Sequence, residues 1–153
     1  MPTPTRHPLI ETSDAEARKL LSVALKKVPR LTHFGIGVFD ERAKIRKGGQ
    51  GSIQQEFERE RALLGERLDE IAMCADWVKR QRRIGRYNMK NTSYGYKHVV
   101  ERWVDRRGGP HMYVSNGSFI AAAAGLGFEP KEVPGSPNVY FQFSVETVKN
   151  PDR

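Results

Sequence analysis

The segment Phe119-Ile120-Ala121-Ala122-Ala123-Ala124 is the longest apolar run in the chain, and two-thirds of it is alanine. Alanine favours a helix but adds almost no bulk, so a helix built on it must let a neighbour approach its backbone closely. Ser115 or Asn116 is placed to cap a helix Ser118 to Leu126, which Gly127 closes. Six residues are far too few to cross a bilayer. Two partners fit the run. One is the helix carrying Tyr96, Val99 and Trp103, as in a helix-turn-helix; the other is the sheet of a small α+β domain.

Around that run the pattern predicts an α+β fold. It is mainly helical, with a long central helix and a carboxyl-terminal helix-strand-helix-hairpin unit resembling part of a winged helix. Residues 1–12 hold three prolines and read as a flexible arm. In the segment 13–50, Ser13 and Glu16 form a capping box. Ala17, Leu20, Leu21, Ala24, Leu25 and Val28 then recur at helical spacing up to Pro29. Thr32 to Asp40 carries a strand signal, and Glu41 to Ser52 reads as a basic glycine-rich linker.

The segment 52–86 reads as one long helix through about Arg83, with Ile53, Phe57, Leu64, Leu68, Ile71, Ala75 and Val78 as its apolar positions. That heptad-like seam must lie against the rest of the fold or against a second copy of the chain, in a homodimer through residues 53–78. Gly85 to Asn91 follows as a basic connector. The small α+β domain 88–148 comprises a helix from about 94 to 105, a short strand candidate His111 to Val114, the alanine helix, and strands Phe128 to Val133 and Asn138 to Val145. Pro134-Gly135-Ser136-Pro137 joins the last two, as a wing placed near a phosphate backbone.

Charge is the main functional clue. Ten basic residues and three acidic ones lie between Ala75 and Arg107, a net +7 where the whole chain carries +8. Clustered cations attract polyanions through counterion release, and interleaved rings offer surfaces on which bases stack. The residues expected to contact nucleic acid, DNA above all, are Lys79, Arg80, Arg82, Arg83, Arg86, Lys90 and Lys97, with Tyr87 and Tyr94 as stacking groups. At helical spacing Lys79, Arg82, Arg83 and Arg86 would share one side. Docking on an acidic protein surface, as by an inhibitor of a host nucleic-acid-processing machine, is the alternative.

The string Thr92-Ser93-Tyr94-Gly95-Tyr96-Lys97-His98-Val99-Val100-Glu101 is followed by Tyr113-Val114-Ser115-Asn116-Gly117-Ser118-Phe119-Ile120-Ala121-Ala122-Ala123, then by Gly127-Phe128 and Ser136-Pro137-Asn138. Over residues 88–144 this combination resembles an uncharacterised family of short bacterial proteins associated with plasmids, phages and other mobile elements. The resemblance implies a bacterial or mobile-element origin and no mechanism.

Chemistry of other kinds has little to stand on. Lys97, His98 and Glu101 share neighbouring helix faces, but a metal site needs more ligands and a general base needs a cleft. No nucleophile motif, carboxylate constellation or cofactor fingerprint occurs, so the expectation is a non-catalytic protein without metal or cofactor. Cys74 is the single cysteine, which excludes an intramolecular disulfide and a cysteine-rich zinc site. The first residues contain no apolar signal-like segment, and the expected location is the cytoplasm.

Overall fold

The structure, a computed structural model, describes residues 6–144. The proposed frayed tail from Lys149 and the end of the last strand at Val145 lie outside the described residues.

Helix α1 (Asp14–Lys27) begins at Ser13, whose Oγ accepts the Glu16 N–H at 3.1 Å. It buries Ala17, Leu20, Leu21 and Ala24, the stripe that the periodicity marks. The single strand expected over 32–40 is instead a tight hairpin, β1 (Leu31–Thr32) paired antiparallel with β2 (Gly35–Ile36). Gly35 and Gly37 carry φ of +136° and +77°, which reverse the chain where a strand would run on. Residues 41–46 of the expected linker form a short helix, α2 (Glu41–Arg46).

The long central helix is two helices, α3 (Gln50–Glu66) and α4 (Leu68–Val78), broken at Arg67 with φ −119° and ψ 50°. The break separates two environments. None of the described residues of α3 but Leu64 is fully buried, whereas every residue of α4 from Glu70 to Val78 is. A helix enclosed on all sides belongs to the core. Ile71, Ala75 and Val78 therefore pack within their own chain, and the homodimer seam proposed through 53–78 loses its second half.

Strand β3 (Arg83–Asn88) replaces the helix end and connector expected there. It runs antiparallel to the last strand, with Arg83 opposite Phe143 and Asn88 opposite Phe141, across an irregularity between them. Gly85 and the absence of apolar partners at helical spacing leave the segment free to take backbone bonds from a waiting strand. Helix α5 (Ser93–Arg106) and helix α6 (Asn116–Gly125) follow, then the hairpin β4 (Lys131–Glu132) and β5 (Val139–Phe143). His111 to Val114 has no regular secondary structure and, among the described residues, pairs with no strand; the Val114 N–H goes to the Glu101 carboxylate at 3.3 Å. The sheet order is β3-β5-β4, and central β5 turns Val139, Phe141 and Phe143 inward as its alternation requires.

Trp77, Tyr96, Phe119, Phe141 and Phe143 meet at the centre, with ring centroids 4.9–6.1 Å apart. Helix α6 runs through this core and packs most extensively on α1 and α4, more than on α5. Its small side chains thus serve helix-on-helix contact, with partners the sequence did not single out.

The described part of the amino-terminal arm is anchored rather than flexible. Asp76 of α4 accepts the N–H groups of Glu11 and Thr12 at 2.8 and 2.9 Å and the Thr12 hydroxyl at 2.6 Å. His7 Nε2 lies 2.7 Å from the Pro110 carbonyl. Among the described residues, no helix is long and apolar enough to cross a membrane.

Candidate nucleic-acid interface

The nine residues expected to meet nucleic acid separate into three groups. Lys79 and Arg80 face the amino-terminal arm. Lys79 Nζ is 2.8 Å from Glu16 and donates to Thr12 Oγ1 at 3.0 Å. Arg80 reaches Glu11 at 3.7 Å and lies 5.2 Å above the Trp103 ring. Arg107 approaches the same Glu11 at 3.9 Å and the same ring at 4.3 Å. These cations are matched by carboxylates, which weakens their claim on a polyanion.

The second group lies on or beside β3, an edge strand that among the described residues pairs with β5 alone. Arg82, Arg83, Arg86 and Lys90 are exposed. The Arg83 guanidinium donates to the Gly127 carbonyl and sits 4.7 Å over the Phe128 ring. Tyr87 is half-buried, with Lys131 Nζ 5.6 Å from its ring. Among the described residues, Arg82, Arg86 and Lys90 have no carboxylate partner, so their charge is available to an outside anion. The basic stripe therefore survives in part, as a strand edge rather than a helix face.

Tyr94 and Lys97 form the third group, on the first turns of α5. Lys97 is a correction: it is 4% exposed and cannot track a phosphate backbone. Its Nζ lies 3.3 and 3.4 Å from the two Glu101 carboxylate oxygens and 4.4 Å from the Tyr113 ring centroid. His98 Nδ1 lies 2.9 Å from the same carboxylate, while His111 pairs with Asp105 at the surface. No group of three or more His, Cys, Asp or Glu among the described residues is arranged to hold a metal.

Lys97 instead borders a cavity of about 440 Å³ that charge patterning does not reveal. Tyr94 and Tyr113, each about half exposed, stand at it with Phe34 and Pro137. His33, Glu60, Asn116 and Asn138 supply polar groups. Asn116 Nδ2 is fixed by the Phe34 and Pro137 carbonyls and by Asn138 Oδ1, at 3.2, 3.1 and 3.0 Å. Behind the cavity, wholly buried Glu70 accepts the Ser115 N–H at 2.8 Å and the Ser118 hydroxyl at 3.1 Å, faces His33 Nε2 at 3.0 Å, and pairs with Arg67 at 3.2 Å. Burial, then the charges of Glu70 and Glu101, raise the pKa of the Tyr113 phenol. Glu60, Tyr113, Asn116 and Asn138 were not singled out for function from the sequence. For Tyr113, Asn116 and Asn138 the only signal was their place in the strings that carry the family resemblance; Glu60 lies outside those strings, and nothing in the sequence marked it.

The Pro134–Pro137 loop is anchored at its carboxyl end, while Pro134 and Gly135 at its tip are exposed. Pro137 O accepts the Ile36 N–H at 2.9 Å, and the loop lines a larger cavity of about 650 Å³ beside β1 and β2, in which the Arg30 and Glu41 charges are paired. No family model, curated protein or solved structure matches this chain.

Proposed function

We propose that this protein binds nucleic acid, DNA in the first place, through the exposed edge of β3, as a non-catalytic accessory or regulatory factor of a bacterial mobile element. The observation that carries the reading is the group Arg82, Arg86 and Lys90: exposed, close in sequence and without carboxylate partners among the described residues. No Asp or Glu occurs between Trp77 and Val100, so nothing in that stretch offsets them. Mobile-element origin rests on the family resemblance alone.

The order α4-β3-α5-α6-β4-β5, with β5 central in the sheet, is compatible with a winged-helix unit and is what supports that comparison. The helix in the recognition position is α6, however, and its residues from Asn116 to Ala124 are buried. Binding by insertion of α6 into a major groove is therefore not part of the proposal. Contacts fall on phosphates, which position without specifying sequence.

A salt titration of binding to duplex and single-stranded DNA tests it. Each phosphate contact adds a slope of about −0.9 in log K against log salt on duplex DNA. Arg82→Ala/Arg86→Ala/Lys90→Ala is expected to flatten the slope by roughly two to three and leave the thermal midpoint unchanged. An unaltered slope, or no retention on any DNA or RNA probe at low salt, sinks the reading. The competing role, docking on an acidic protein surface, draws on exposed Phe39, just before the basic α2, and exposed Ile45 within it. One stoichiometric protein partner surviving nuclease treatment would favour it.

A further inference from the structure

We infer that the cavity between Tyr94 and Tyr113 receives a single unstacked nucleobase. The inference deepens the nucleic-acid reading, because it names what this site takes from a bound strand.

Volume, flat lining, charge and hydrogen bonding define the occupant. The volume, about 440 Å³, falls in the range of small-ligand sites. Flat groups surround it: Tyr94 and Tyr113 are 51% and 53% exposed, far more than core rings, and Phe34 and Pro137 add apolar surface. Exposed tyrosine rings on a polar rim provide faces for stacking.

Charge decides between ligand classes. Lys97 is already matched by Glu101 and the Glu60 carboxylate lines the cavity, so the lining offers a phosphate or carboxylate no unmatched lysine or arginine. Nor is a cation favoured. Lys97 Nζ already stands 4.4 Å from the Tyr113 ring centroid and 5.6 Å from that of Tyr94, and its charge repels a second cation. An uncharged planar group is left.

Hydrogen bonding fits a base edge. The Asn138 Oδ1 is taken by Asn116 at 3.0 Å, which leaves the Asn138 Nδ2 donors without a protein partner among the described residues. The Glu60 carboxylate likewise has none there. One open amide donor and one open carboxylate acceptor match the paired acceptor and N–H groups of a nucleobase.

Connectivity ties the site to the cationic edge. Asn88 ends β3, Lys90 lies in the following turn, and Tyr94 stands on the first turn of α5. Lys90 and Tyr94 are four residues apart, so their Cα atoms lie within about 14 Å. A strand held at Arg82, Arg86 and Lys90 thus has the cavity beside it. Three of the four sequence strings that carry the resemblance supply Tyr94 and Lys97, Tyr113 and Asn116, and Pro137 and Asn138 to this one place.

The experiment compares single-stranded DNA oligonucleotides with oligonucleotides of equal length whose bases are replaced by abasic sites. It is paired with an NMR titration by free nucleosides. Wild type is expected to bind the base-bearing strand about tenfold tighter, as stacking on an aromatic side chain gives. Tyr94→Ala/Tyr113→Ala should abolish that preference, and Tyr94→Phe/Tyr113→Phe should retain it. Nucleosides, which carry no phosphate, should shift Tyr94, Tyr113 and His33 resonances. Equal affinity for the two strands together with no nucleoside shift overturns the inference, whatever the cationic edge does. Nucleoside shifts at these residues in a protein that fails to retain DNA would uphold the pocket and refute only the edge.

Discussion

Tyr96 is wholly buried, and its hydroxyl has no hydrogen-bond partner among the described residues. Burial pushes its pKa from 10.0 up to about 12, because the phenolate would lose its hydration. Cys74, also buried, is raised well above 9.0, first by burial and then by the charges of Glu70 and Glu101. Both groups keep a proton in the folded chain that the unfolded chain gives up sooner. Their contribution to stability is thus complete below the unfolded values and is lost as pH rises. Urea midpoints are expected to hold steady from pH 7 to near 9, fall as the unfolded thiol ionises, and fall further between pH 10 and 12 as Tyr96 follows. Tyr96→Phe should cost nothing at neutral pH, since it removes an unpartnered buried hydroxyl, and should make the upper limb shallower. An identical alkaline limb in wild type and Tyr96→Phe would refute the assignment. The native thiol is also expected to resist thiol reagents at pH 8 and to react fully in urea.

Glycines separate the helices that are buried from those that are not. A Cβ on Gly125, at the end of α6, would lie 2.5 Å from the Leu20 carbonyl oxygen and 2.8 Å from Leu20 Cα, both backbone atoms of α1. Gly125→Ala is therefore expected to force the two helices apart at a cost of about 1–3 kcal/mol. Gly65, in α3, has nothing within 4 Å of that position, and Gly65→Ala is expected to stabilise by about 0.5–1 kcal/mol through helix propensity. Chemical denaturation of the pair checks both signs; a loss at Gly65 or no loss at Gly125 contradicts this packing. The same contrast explains what was legible from sequence. Helices α1, α5 and α6 and strand β5 follow from caps, periodicity and alternation, which are local signals. Strand β3 was missed because Arg83-Ile84-Gly85-Arg86-Tyr87-Asn88 becomes a strand by pairing with β5, more than fifty residues away. The break at Arg67 was missed for a related reason. Leu64, Leu68 and Ile71 keep helical spacing straight across it, and only the enclosure of Glu70 to Val78 requires the turn.

Across the whole molecule, the candidate site was legible as charge but not as a surface, because pairing with carboxylates depends on the fold. The amino-terminal arm is the clearest case. Asp76 anchors Glu11 and Thr12 by three hydrogen bonds, and anchored Glu11 then stands within 3.7 and 3.9 Å of Arg80 and Arg107. One buried carboxylate thereby controls how much positive charge the protein presents. Asp76→Ala is expected to lower stability by about 2–3 kcal/mol, since hydrogen bonds to a charged acceptor are lost while the released N–H groups regain water. It should also uncover Arg80 and Arg107. If these two lie within reach of a polyanion held on the β3 edge, the variant binds duplex DNA with a salt slope steeper by up to about two, each new phosphate contact adding about −0.9. Glu11→Gln gives the control: it keeps the arm anchored through the backbone of residue 11 and Thr12 but removes the neutralising charge, so it should steepen the slope without the loss of stability. A slope unchanged in both variants would mean that Arg80 and Arg107 face away from the bound strand, and would confine the interface to Arg82, Arg86 and Lys90.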